Sequence, residues 1–135
     1  YYCVVHGKMP KQADTLHGYL RKDAANNTVT VSDTKRAGYK EIITKYRVVR
    51  EKGDLSLLEV ELVTGRTHQI RIQFSSRDHA LFGDRKYGAG DEDGCASIAL
   101  WSWRLAFLHP QNETPVSFSK TPPPVFPWNL FDFSE

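Results

Sequence analysis

The chain has 135 residues, 40% apolar and 25% charged, with 18 Lys and Arg against 16 Asp and Glu for a net charge of +2. That length and balance suit one globular domain with its own core, and no internal repeat, low-complexity tract or linker interrupts it. No apolar run approaches the roughly 18 residues needed to span a membrane, and the first residues do not resemble a signal peptide, so a cytoplasmic setting is expected.

In chain order, YYCVVHG (1–7) reads as a strand stopped by Gly7, and KMPKQADT as a loop. LHGYLRKDAANN is too short and too interrupted by glycine to predict a helix. TVTVSD and KEIITKYRVVRE are rich in β-branched residues and predict strands. In GDLSLLEVELVTG, Leu58, Val60 and Leu62 share one face and Glu59 and Glu61 the other, with EKGD as the hairpin turn before it. TGRTHQIRIQF (64–74) then reads as a further strand, closing an antiparallel meander. By parity, His68, Ile70, Ile72 and Phe74 take one face, and Thr67, Gln69, Arg71 and Gln73 form a polar row on the other.

A helical turn is expected over Ser75 to Ala80. Glycines 83, 88, 90 and 94 then mark a loop with the acidic run Asp91 to Asp93 at its tip. ASIALWSWRLAFLHP returns to strand with apolar residues on both faces, ending near His109. The prolines of KTPPPVFPWNLFDF exclude a central strand and predict an extended tail over 120–135, laying Val125, Phe126, Trp128 and Leu130 on the body. The expected fold class is α+β: one domain over 1–135, predominantly antiparallel or mixed β-sheet, with few short helices.

Two cysteines, Cys3 and Cys95, read as reduced thiols. There is no CxxC, no HExxH and no cluster of His and Cys at ligand spacing, so no metal is expected, and there is no glycine-rich phosphate loop. Charge is uneven along the chain. Residues 35–77 carry ten Lys or Arg against five Asp or Glu, and residues 78–135 carry four against eight. A basic middle segment suits a polyanion, but charge alone favours a solvated face.

LVTGRTHQIRIQF, then DHALFGDRKYGA, then WRLAFLHP, preceded by YYCVVHG, follow one another as in the RluA family of RNA pseudouridine synthases, which the chain resembles from Tyr1 to about residue 124. The resemblance implies cofactor-free and metal-free isomerisation of uridines in structured RNA, rRNA or tRNA, to pseudouridine. It places Tyr1 at the family's catalytic tyrosine, able to stack a flipped base and to move a proton. Arg71 falls at the arginine that pairs with a catalytic aspartate. Arg66 becomes a phosphate contact or a brace for its loop. Gln69 becomes a reader of the uracil edge or a partner for neighbouring backbone. Lys35, Arg36, Lys40 and Arg77 become phosphate contacts or solvated charges. His68 reads as a core histidine, and Asp84 and Tyr87 as ties for a glycine-rich loop.

The family's aspartate lies in a block resembling H-R-L-D, which is absent from this sequence, and Gln73 stands where the family commonly has histidine. The chain is therefore expected to be the C-terminal portion of a catalytic domain, inactive alone and dependent on the missing N-terminal part of the same domain, whose lack would leave an unpaired, aggregation-prone sheet edge. The alternatives are a non-catalytic RNA-binding module on the same scaffold and a plain β-rich interaction domain. The polar equipment of TGRTHQIR argues against the last.

Overall fold

The computed structural model describes residues 1–26, 28–66, 68–88, 98–108, 111 and 115–133. Among the described residues eight strands are present: β1 (Tyr2–His6), β2 (Ala13–Asp23), β3 (Thr28–Ser32), β4 (Lys40–Lys52), β5 (Leu55–Leu62), β6 (Leu100–Trp101), β7 (Arg104–Leu108) and β8 (Pro115–Ser119). One α-helix, α1 (Gln69–Ser75), and a 3₁₀ turn at Trp128–Leu130 complete the described elements. The first six strands form one sheet in the order β3-β2-β4-β5-β1-β6, every pairing antiparallel, while β7 and β8 make a separate hairpin. The α+β expectation is borne out.

Alternation builds this sheet. Along β2, Leu16, Gly18 and Leu20 point inward while Thr15, His17 and Arg21 face solvent, a period of two that makes LHGYLRKD a strand. β4 and β5 form the expected hairpin, turning at Gly53 with φ 57°, where a side chain would be strained. β1 is different in kind: Cys3, Val4 and Val5 are all fully buried, so both its faces are covered. Cys3 and Val5 pack with Leu58 and Val60 of β5, Tyr46 of β4 and Leu16 of β2, under Ile70 and Phe74 of α1. Val4 and Leu57 face the other way, into Trp128 and Phe131 of the C-terminal segment.

Two expectations are corrected. TGRTHQIRIQF is not a continuation of the meander: the chain leaves the sheet after Leu62 and forms α1 over Gln69–Ser75, so the parity-derived polar row does not exist. The helical turn expected over Ser75 to Ala80 thus begins six residues earlier and ends at Ser75. A helix is favoured because Ile70 and Phe74, four apart, drop onto the sheet together, with Ile72 reaching Leu20 and Ile42. As a strand the same residues would have split their polar groups from the sheet's buried Thr44, to which Gln69 and Gln73 both bond.

The C-terminal segment is seated by Trp128 and Phe131, with Leu130 packed against that cluster and Phe126 edge-on to Phe82, whereas Val125 remains 55% exposed. The strand expected over ASIALWSWRLAFLHP is two short ones, β6 and β7, broken at Ser102 and Trp103. Cys3 is a free, buried thiol; Cys95, the Asp91 run and His109 lie outside the described residues. Among the described residues no helix is long and apolar enough to cross a membrane, and no group of three acidic, His or Cys side chains could hold a metal.

Candidate active site

The entry to α1 is a tight, polar turn. His68 opens it in the left-handed region at φ 57°, ψ 20°, a conformation that costs a non-glycine residue about 1–2 kcal/mol. Gln69 stabilises it from below. Its Oε1 accepts from the Thr64 hydroxyl at 2.8 Å and the Arg66 backbone N–H at 3.0 Å. Its Nε2 donates to the Ile43 carbonyl and to Thr44 Oγ1, both at 2.9 Å. With 2% of its surface exposed, Gln69 works inside the protein as a partner for backbone, the second of its two expected roles. Gln73, one turn on, is also buried; its Oε1 accepts from Thr44 and its Nε2 donates to the Leu16 carbonyl at 3.3 Å.

Arg71 projects from the half-buried side of the helix onto Asp84. Arg71 Nε donates to Asp84 Oδ2 at 3.0 Å and Nη2 to Oδ1 at 2.9 Å, a bidentate pair in which the aspartate side chain is fully buried. Asp84 Oδ1 also accepts from the backbone N–H groups of Lys86 (3.1 Å) and Tyr87 (3.0 Å), folding GDRKYG into a local turn. Burial pushes the Asp84 carboxyl up, but the Arg71 guanidinium and those two N–H groups outweigh it and hold the group below its ordinary value. The Asp84 bonds in turn raise Arg71, fixing its charge.

Tyr87 lies under this pair, its ring centre 5.0 Å from the Arg71 guanidinium carbon and its hydroxyl 2.9 Å from His68 Nδ1. Burial, together with the positive charges of Arg71 and Lys86, lowers the His68 imidazole below its ordinary value. His68 is half-exposed at a helix start, so the sequence expectation of a core histidine sharing a face with Ile70 and Ile72 is corrected.

Tyr1, Arg66, His68, Gln69 and Arg71 meet at one cavity of about 280 Å³, whose apolar walls are Leu62, Ile70, Ile98 and Leu100. Tyr1 reaches it from the end of β1, where its carbonyl accepts from Val60 N–H at 2.7 Å, and its side chain is 38% exposed. The other sequence candidates lie elsewhere. Lys35, Arg36 and Lys40 are exposed around the β3–β4 connection, with β2, β4 and β5 between β3 and β1. Arg77 lines a separate groove of about 420 Å³ with Gly18, Ser32, Asp33 and Gln73, and its Nη1 donates to the Gln73 carbonyl at 3.0 Å.

The family model described as RNA pseudouridylate synthase matches residues 1–76, from the tyrosine strand through α1. The chain belongs to the RNA pseudouridylate synthase family. The resemblance to RluA-type enzymes carried by TGRTHQIR is thereby borne out. Among relatives of this chain, an RNA pseudouridine synthase of Mycoplasma genitalium is 30% identical over 132 residues, covering 96% of this chain and 42% of the relative. The ribosomal large subunit pseudouridine synthase D of Zymomonas mobilis is 36% identical over 123 residues, covering 81% and 38%. The solved structure of human RNA pseudouridylate synthase domain containing 1 shares the fold, with a TM-score of 0.75 at 23% identity over 91% of this chain and 53% of that one. The chain thus spans about two fifths of the length of the curated relatives it matches.

What sequence reasoning missed at this site is the partner of Arg71. Arg71 was expected to aim at a carboxylate the chain does not contain, yet one carboxylate, Asp84, is already on it. The signal available was the Asp and Tyr of GDRKYG, which a strand reading of TGRTHQIRIQF could not bring to Arg71.

Proposed function

We propose that this chain forms the tyrosine- and arginine-bearing part of a catalytic domain that isomerises uridine to pseudouridine in structured RNA, rRNA or tRNA. The observation that carries this is the convergence of Tyr1 and Arg71 on one small, apolar-walled cavity beside the left-handed entry to α1. That space, near the lower limit for small-molecule pockets, suits a single flipped base rather than a larger ligand.

In this reading the catalytic carboxylate comes from outside residues 1–135. The net change breaks the C1′–N1 bond and forms C1′–C5; a proton leaves C5 and N1 gains one, so neither oxidant nor reductant is required. Arg71 keeps the incoming carboxylate ionised and oriented, and Tyr1 stacks the freed base and lies in reach of its proton. Leu62, Ile70, Ile98 and Leu100 exclude water while the base is detached. Asp84 does not serve as nucleophile, since it is buried and both its oxygens are hydrogen-bonded. Arg66 at the mouth, and Lys35, Arg36, Lys40 and Arg77 further out, hold RNA phosphates through charge.

The test is tritium release from RNA labelled at uridine C5, using the parent protein and the 135-residue chain side by side. Release by the parent, none by the chain, and losses of about 10²–10⁴-fold for Tyr1→Phe and Arg71→Ala in the parent are expected. Parent protein that binds RNA but releases no tritium would favour a binding module instead.

A further inference from the structure

We propose that Asp84 is the positioning residue of Arg71, setting the guanidinium so that its second edge is presented to the catalytic carboxylate. The inference rests on the function proposed above and extends it to a residue outside the cavity. A guanidinium offers five N–H donors on two carboxylate-binding edges, Nε–Nη2 and Nη1–Nη2. Asp84 occupies the first edge. The second takes no partner among the described residues, while Arg71 lines the cavity that holds Tyr1. One arginine can therefore bridge two carboxylates, one fixed within the fold and one brought to the cavity.

Asp84 is suited to fix it. Its side chain is fully buried, and Oδ1 is tied to the N–H groups of Lys86 and Tyr87. The loop closes behind it through Gly88 N–H to the Asp84 carbonyl at 2.9 Å. A Cβ on Gly88 would collide with that carbonyl oxygen, so only glycine closes the turn this tightly. The segment leading to Asp84 is anchored on β1: Phe82 N–H donates to the Val4 carbonyl at 2.8 Å and His6 N–H to the Ala80 carbonyl at 3.0 Å. The strand that begins beside Tyr1 thus also holds the carboxylate that sets Arg71, so both cavity groups share one reference element. The Tyr87 ring against the guanidinium restricts the remaining rotation.

Asp84 has an electrostatic consequence too. Its negative charge partly offsets Arg71, so the catalytic carboxylate feels a weaker cation than an unpaired arginine would supply. Replacing Asp84 with Asn removes that offset and loosens the geometry at once. The two effects are separable, because one lowers the turnover and the other moves the acid limb of its pH profile to lower pH.

The experiment uses the full parent protein with Asp84→Asn, Asp84→Glu, Arg71→Lys and the double variant Arg71→Lys/Asp84→Asn. It measures kcat for tritium release, RNA affinity, the pH profile, and the Arg71 Nε–H signal by NMR. Expected for Asp84→Asn are a kcat lower by about 10- to 100-fold, RNA affinity unchanged within about twofold, and an acid limb moved downward. Asp84→Glu, which retains the charge but displaces it by a methylene, should keep the acid limb and still lose kcat. The double variant should be no slower than Arg71→Lys, since Asp84 acts only through that side chain. Full kcat with an unmoved pH profile in folded Asp84→Asn, or independent losses that multiply in the double variant, overturns the inference. If the wild-type parent releases no tritium, the function proposed above fails by itself. The Nε–H signal, protected in wild type and lost in Asp84→Asn, then supports or overturns the positioning role.

Discussion

Replacing Gln69 with Leu separates a base-reading glutamine from one that holds the fold. The side chains are similar in size, so the change removes four hydrogen bonds without opening a large cavity. Not every former partner is orphaned. The Ile43 carbonyl keeps the N–H groups of Val63 at 3.1 Å and Thr64 at 3.3 Å, and Thr44 keeps Gln73. The Thr64 hydroxyl proton and the Arg66 N–H lose their acceptor. Each buried orphan costs about 1–3 kcal/mol, and Arg66 is exposed enough to recover part of its share from water. Adding the loosened left-handed turn at His68, and subtracting the apolar gain of Leu, gives a net loss of about 2–3 kcal/mol. Urea unfolding should show a lower midpoint with an unchanged slope, because the same surface is exposed on unfolding. A loss below about 0.5 kcal/mol, accompanied by weaker RNA binding, would refute the reasoning and return Gln69 to the uracil edge.

Phe74→Ala, at a fully buried side chain between α1 and the sheet, should cost about 3–5 kcal/mol by denaturation, and a cost near 1 would mean α1 is loosely docked. Asp84 is held below its ordinary carboxyl value, so its contribution to stability is complete above about pH 3.9 and is lost as pH falls through the lowered folded value. The Asp84→Asn variant should lack this acid-limb loss in a pH series of unfolding midpoints. His68, also lowered, stabilises the folded state above its ordinary 6.5 and loses that contribution as pH falls from there toward the folded value; a His68→Gln variant should flatten this window. Gly88→Ala should lower the melting temperature and, in the parent protein, the turnover together, because the Asp84 carbonyl must move to admit the methyl group; unchanged turnover in a folded variant would separate the loop from Arg71.

The strands of residues 1–62 were legible wherever one face of the sheet was buried and alternation showed it, as in LEVEL. β2 was harder, because Gly18 at an inward position breaks the apolar run even though it keeps the spacing. TGRTHQIRIQF misled because a seven-residue helix samples too few turns to separate periods. Ile70, Ile72 and Phe74 fit a period of two, Gln69/Gln73 and Ile70/Phe74 fit a spacing of four, and the isoleucines tilt the local preference to strand. The choice is made by Thr44, Ile42 and Leu20, residues distant in the chain whose positions a local window does not contain. At the site, Tyr1 and Arg71 were legible through family resemblance alone, and the structure brings them to one cavity. The Arg71–Asp84 pair was hidden because a strand and a helix aim Arg71 in different directions.

β1 has a further consequence, one of timing. Its partners in the sheet are β5, beginning more than fifty residues later, and β6, later still, and its second face is covered by Trp128 and Phe131. The hairpins of β2 with β3 and of β4 with β5 can close as soon as each emerges from the ribosome, since their partners are near in the chain. Cys3 and Val5, although made earlier, remain without cover until β5 and α1 arrive, and Val4 remains without full cover until Trp128 and Phe131 do. Synthesis order and assembly order therefore differ here, and β1 keeps its Val4 face open to aggregation or chaperone capture until the residues around Trp128 have been made.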